Sequence, residues 1–120
     1  MVAIGGAAGA SLRYLVAAWA GRLLGAGYMG TLVVNVAGSF LMGILAVVLM
    51  ERVPGGWQRF APLLITGVLG GFTTFSAFSL DALYLLERGR FLAASGYIAG
   101  SVGLSILALY AGLALARSTT

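Results

Sequence analysis

Four apolar runs, each long enough to cross a bilayer, take up nearly the whole chain. They extend over about residues 3–24, 29–50, 60–86 and 91–116. A hydrocarbon core about 30 Å thick needs about 20 apolar residues in helical form, and every run meets that length. The pieces between them are short and carry turn residues: Gly25–Tyr28, Glu51–Arg59 with Pro54-Gly55-Gly56, and Glu87–Arg90 with Gly89. The pattern predicts an all-α membrane protein of four transmembrane helices, in one integral membrane domain over residues 1–120. Four spans place both termini on one side of the membrane.

Polar positions inside the runs carry the next layer of information, because polar groups at bilayer depth are costly. The third run contains Gly70-Gly71-Phe72-Thr73-Thr74-Phe75-Ser76-Ala77-Phe78-Ser79. Two glycines and four hydroxyls at mid-membrane depth predict that the third helix is broken. Non-helical backbone survives there only where it is packed in protein or lines a wet cavity. Carbonyls freed near Gly70 and Thr73 suit a hard, desolvated cation such as sodium, and two antiparallel copies would supply four of them. A plain kink at the double glycine accounts for the same residues.

Other polar positions fall on helix faces. Asn35 and Ser39 are four apart and share one face of the second helix. Asn35 can donate to an anion or bridge two helices. Tyr97, Ser101 and Ser105 repeat at every fourth position of the last run, a hydroxyl stripe about 12 Å long at the helical rise. Phe75 and Phe78 are three apart. They are core or lipid-facing aromatics, or rings whose weakly positive edges meet a small anion. Uncharged donors with ring edges stabilise an ion enough to enter and weakly enough to leave. Arg13, inside the first run, is either an anion anchor near a pore mouth or a side chain that snorkels or pairs with Asp81.

Composition narrows the class. Of 120 residues, 61% are hydrophobic and 8% charged, against about 25% charged in soluble domains. The absence of cysteine and histidine excludes disulfides, thiol catalysis and the usual zinc ligands. The seven cations are all arginine and form no cluster, so no nucleic-acid footprint is present. A basic segment before the first apolar run is missing and Arg13 interrupts it, which argues against a cleaved signal peptide.

Arginine placement bears on topology. Arg52, Arg59 and Arg117 lie on the side of the termini, and Arg22, Arg88 and Arg90 on the other. With the flanking cations balanced, the positive-inside bias is absent. The expectation is insertion in both orientations and assembly of an antiparallel, dual-topology homodimer. Gly5-x3-Gly9, Gly21-x3-Gly25, Gly67-x3-Gly71 and Gly96-x3-Gly100 let helix backbones approach closely, and the 19 glycines support a tightly packed homo-oligomer.

A small four-helix drug/proton antiporter is the main rival class. It needs a membrane-embedded carboxylate, whereas the first run carries Arg13 and only Asp81 is a deep acid. A structural or hole-forming membrane protein would need neither the Thr/Phe stretch nor the hydroxyl stripes. An enzyme lacks an acid/base pair.

Three stretches resemble the Fluc (CrcB) family of fluoride channels. They are Gly5-Gly6-Ala7-Ala8-Gly9-Ala10-Ser11-Leu12-Arg13-Tyr14, then Gly30-Thr31-Leu32-Val33-Val34-Asn35-Val36-Ala37-Gly38-Ser39-Phe40, then the Gly70–Ser79 stretch. The resemblance covers nearly the whole chain in family order. It implies passive, fluoride-selective conduction that lets a cell expel fluoride through two pores in an antiparallel dimer. It also implies a structural sodium ion at the dimer centre, held by the carbonyls of Gly70 and Thr73. Asn35, Phe75, Ser76 and Phe78 match the family's pathway residues, as do Tyr97, Ser101 and Ser105 by spacing. Arg13 matches an arginine near the aqueous vestibule. Ala77 departs from the family's common threonine between the two rings. The expected setting is the plasma or inner cell membrane, crossed several times and in contact with lipid.

Overall fold

A computed structural model describes residues 1–118, and every described element is helical. Helix α1 spans Val2–Leu24, and α2 spans Gly27–Val47 and runs on through a π-helical turn at Val48–Arg52. Helix α3 (Gly56–Ala61) continues as a π-helical segment over Pro62–Leu69, followed by the single turn α4 (Gly70–Phe72), α5 (Ser76–Glu87) and α6 (Phe91–Ser118). Four stretches, Val2–Leu24, Gly27–Arg52, Gly56–Glu87 and Phe91–Ser118, are long and apolar enough to cross a membrane. The chain measures 51 × 30 × 21 Å, and its long axis exceeds a hydrocarbon core of about 30 Å.

The second and third spans are longer than the apolar runs suggest. Helical hydrogen bonding does not stop where hydrophobicity stops. It stops at left-handed glycines after α1 (Gly25, φ 81°) and α5 (Gly89, φ 72°), and a third, Gly55 (φ 68°), precedes the start of α3. The widened segment after α3 opens on Pro62. Proline has no N–H to give the preceding turn and its ring crowds that turn's carbonyl, which favours local rewinding.

Inside and outside are sorted by size. The inner face of α1 carries Gly5, Gly9 and Ala20, while Ile4, Leu15, Trp19 and Leu23 are exposed. On α6 the buried set is Ala94, Tyr97, Ser101, Gly112 and Ala116, with Leu92, Ile106, Leu107 and Tyr110 outside. Lipid tails are as apolar as leucine, so membrane helices associate through close backbone approach. The glycines show the effect directly. A Cβ placed at Gly9 falls 2.0 Å from the Val68 carbonyl oxygen, and one at Gly71 falls 2.7 Å from that of Gly6. Helices α2 and α6 meet through a reciprocal pair: a Cβ at Gly43 falls 2.2 Å from the Leu109 oxygen, and one at Gly112 falls 2.1 Å from the Phe40 oxygen.

This crossing predicts a stability effect. Gly43→Ala drives a methyl group into a backbone that cannot rotate aside. The expected destabilisation is about 1–3 kcal/mol, the usual range for overpacking. Thermal unfolding of purified protein in detergent checks it; an unchanged midpoint would show that α2 and α6 separate freely.

Polar groups fasten the helix ends. Arg117 pairs with Glu51 at 3.3 Å, and Arg52 donates to the Ala116 carbonyl, tying the end of the second span to that of α6. At the other end Phe78, Ala82, Leu85, Ala94 and Tyr97 form the buried apolar cluster of α5 and α6, with Tyr28 and Leu32 of α2 against it.

Candidate ion pathway

The backbone between α4 and α5 leaves the helical region. Thr73 has φ −83° and ψ 155°, an extended conformation, and helical geometry resumes at Ser76. Ending one helix and starting another inside the apolar layer strands several amides and carbonyls. Side chains from two other helices take up part of that deficit. Asn35, on α2, accepts the Thr74 N–H through Oδ1 at 2.8 Å and donates through Nδ2 to the Thr74 carbonyl at 2.9 Å. Arg13, on α1, donates through Nε to the Gly71 carbonyl at 3.2 Å. Within the junction, the Thr74 hydroxyl accepts the Ala77 N–H at 3.2 Å, and the Thr73 hydroxyl donates back to Leu69 at 2.9 Å.

The Gly70, Phe72 and Thr73 carbonyls accept no hydrogen bond among the described residues. Continuation of the helix would pair the Thr74 N–H with Gly70 and the Ala77 N–H with Thr73. Both donors are turned instead to side-chain oxygens, of Asn35 and Thr74 respectively.

Beside the junction lies an open cavity of about 340 Å³. Asn35, Ser39 and Met42 of α2 line it, with Thr73, Thr74, Phe75 and Phe78 of the junction and α5, and Ser101, Val102, Ser105 and Leu109 of α6. No lining side chain is charged. The Phe75 and Phe78 rings are tilted at 45° with centroids 5.6 Å apart. Ser101 is 5% exposed and its hydroxyl has no hydrogen-bond partner among the described residues, an uncommon condition for a buried polar atom. Glycine at position 38 brings α2 against the junction, since a Cβ there falls 2.2 Å from the Thr73 Cγ2.

Five of the sequence-predicted pathway residues therefore converge on one space: Asn35, Phe75, Phe78, Ser101 and Ser105. Tyr97 and Ser76 do not line it. Tyr97 is buried one turn away, with its ring 5.2 Å from those of both Phe78 and Tyr28 and its hydroxyl donating to Asp81 at 3.3 Å. Ser76 is exposed, with its hydroxyl 3.3 Å from that of Thr74. Thr73 lines the cavity, and Gly70 is exposed on the junction. Arg13 donates to the junction backbone rather than to Asp81, which receives the Tyr97 hydroxyl. Sequence reasoning missed Gly38 and the bracing role of Thr74. Glycine three positions after Asn35, on the same helix face, was the available signal for the first.

Comparison with known proteins places the chain. Residues 1–113 match the family described as CrcB-like protein, Camphor Resistance (CrcB). The chain belongs to the CrcB-like family. Among CrcB-like relatives, a protein of Cereibacter sphaeroides named fluoride-specific ion channel FluC is 56% identical over 117 residues, 97% of this chain and 91% of its own length. One of the same name from Rhizobium etli is 55% identical over 119 residues, 98% of this chain and 94% of its own. Another from Paracoccus denitrificans is 53% identical over 116 residues, covering 97% and 91%.

Proposed function

We propose that this chain is the subunit of a fluoride-selective channel that lets fluoride leave the cell passively and so lowers its cytoplasmic concentration. One observation carries the reading: uncharged donors and two phenyl rings converge on a single cavity, in a chain more than half identical to proteins named as fluoride channels. A small, strongly hydrated anion needs donors to replace its water. A fixed cation would hold it too firmly, whereas neutral groups balance entry against exit. Ser101 suits this role because its buried hydroxyl is not committed elsewhere. Phenyl edges complete the shell with a weak positive field.

The functional unit in this proposal is an antiparallel, dual-topology homodimer in the plasma or inner membrane. Phe75 is 77% exposed on the single subunit, and Gly96, Gly100 and Gly103 of α6 face open space. A second copy covers such surfaces, and the balanced arginines permit it to insert inverted. The cavity, open along one side in the subunit, is then walled by the partner. The α4–α5 junction is the functional break of the third span. Its Gly70 and Thr73 carbonyls fit a sodium ion, since a hard cation takes neutral oxygens and both have lost their helical donors. Sodium would neutralise the convergent carbonyl dipoles there and hold the two junctions together, while Asn35, Ser101 and Ser105 bind and orient fluoride.

Reconstitution in liposomes tests the proposal. Fluoride-loaded vesicles are expected to release their load and chloride-loaded ones to retain theirs. Retention of fluoride would overturn the channel reading, and proton-coupled uptake of an organic cation would favour the antiporter. Because the chain has no cysteine, a single cysteine introduced in the Glu87–Arg90 loop reports orientation. About half the copies should react with an impermeant reagent if insertion is unbiased; uniform labelling or uniform protection rules out the inverted pair.

A further inference from the structure

We infer that Asn35 is a positioning residue for the cation site as well as a lining group of the anion cavity: its amide keeps the Gly70 carbonyl open by capturing the amide proton that would otherwise close on it. The inference rests on the sodium reading above and deepens it. Continued as a helix, the chain would give the Thr74 N–H to Gly70. The Asn35 Oδ1 holds that N–H at 2.8 Å, and its Nδ2 holds the Thr74 carbonyl at 2.9 Å. The two bonds meet both peptide planes that flank Thr74, and the acceptor bond is the one that keeps its N–H away from Gly70.

The fixed Thr74 then acts one step further along. Its hydroxyl takes the Ala77 N–H at 3.2 Å, the donor due to the Thr73 carbonyl. Arg13 satisfies the intervening Gly71 carbonyl from the other side at 3.2 Å. The side chains thus select which oxygens are spent and which remain. Gly70 and Thr73 remain, with Phe72 between them, and unwound carbonyls are the groups that receive a bare cation at membrane depth. Asn35 touches neither oxygen and acts through Thr74. The bond to Thr74 is also what holds its amide at the cavity wall, so one side chain couples the cation site to the anion path.

The test reads sodium binding rather than flux. Thermal unfolding of the purified dimer is followed while sodium replaces N-methyl-D-glucamine at constant ionic strength, and the stabilisation gives an apparent sodium affinity. Asn35→Ala, which loses the acceptor, and Thr74→Val, which loses the hydroxyl, are expected to weaken that affinity about 10–100-fold, as loss of groups that orient metal ligands does. Asn35→Asp keeps an acceptor for the Thr74 N–H and is expected to retain the sodium response while losing fluoride flux to its fixed charge. Wild-type sodium affinity in Asn35→Ala would overturn the inference, as would an Asn35→Asp response as weak as that of Asn35→Ala. Should Asn35→Ala fail to fold, the contrast between Thr74→Val and Asn35→Asp decides the matter in the same way. If the unmodified protein gains no stability from sodium, the sodium reading itself falls and takes this inference with it; a sodium response that no variant alters removes the inference alone.

Discussion

Phe75→Ile is expected to lower fluoride efflux by about tenfold or more, the effect of about 1.4 kcal/mol at a barrier, with the thermal stability of the protein left in place. The two halves of this prediction come from one observation. Phe75 sits at the junction on the cavity wall, yet 77% of it is exposed on the single chain, so little of the chain's own packing depends on it. Isoleucine preserves apolar bulk and removes the ring quadrupole. Phe78 makes a poorer probe because it is 9% exposed and belongs to the buried cluster with Leu85 and Tyr97. Its replacement mixes lost ring edge with lost packing, which costs stability on its own account. Efflux measured with a fluoride electrode, beside an unfolding curve for the same preparation, separates the effects. Unreduced efflux in Phe75→Ile would remove the ring from the pathway. A collapse of stability would instead assign the residue to the subunit contact.

The order in which features became legible follows their range along the chain. Spans are local: a helix needs about 20 apolar residues in sequence to cross a bilayer, and the composition supplies four such runs. Close contacts came through where both partners advertise themselves. Gly5 and Gly9 of α1 do meet the third span, against Leu63, Gly67 and Val68, and Gly71 meets Gly6. The same spacing marks no contact inside the single chain elsewhere. Gly25 is a left-handed helix cap with φ 81°, and Gly96 and Gly100 have no neighbour within a single subunit. A comparably tight crossing, Gly43 with Gly112, carries no such spacing, because what matches is a register between helices far apart in sequence.

The candidate site divides along the same line. The hydroxyl stripe of α6 was readable from periodicity, and Ser101 and Ser105 do face the cavity while Tyr97 points to Asp81. That last pairing depends on the level at which α5 crosses α6, which no residue encodes by itself. The partner of Asn35 lies 39 positions away and follows only from the depth at which α2 meets the junction. Periodicity thus says which face a polar residue occupies, and the crossing decides which atom it finds there. Asn35 illustrates the gap: the sequence marks it as a polar group at membrane depth, and the fold turns most of its amide to backbone.

Ser101→Ala should separate function from stability in a direction that few substitutions take. A buried hydroxyl without a partner forfeits the hydrogen bonds it made to water, and such a group costs about 1–3 kcal/mol. Ser101 is in that condition, 5% exposed with an oxygen that meets no partner among the described residues. Alanine relieves the cost without adding volume, so the fold is expected to be equally or more stable. The same hydroxyl faces the cavity, where a charge-assisted bond to fluoride contributes about 1.5–3 kcal/mol, so efflux is expected to fall by about 10–100-fold. Ser105, half-buried on the same face, provides the comparison, since its more accessible hydroxyl carries less penalty and its loss should bring less stabilisation. Parallel losses of stability and flux in Ser101→Ala would mean that the hydroxyl braces helices. Retained flux with raised stability would mean that the ion passes without touching it. Gain in one measure with loss in the other is the outcome that a residue held in an unfavourable state for the sake of its ligand produces.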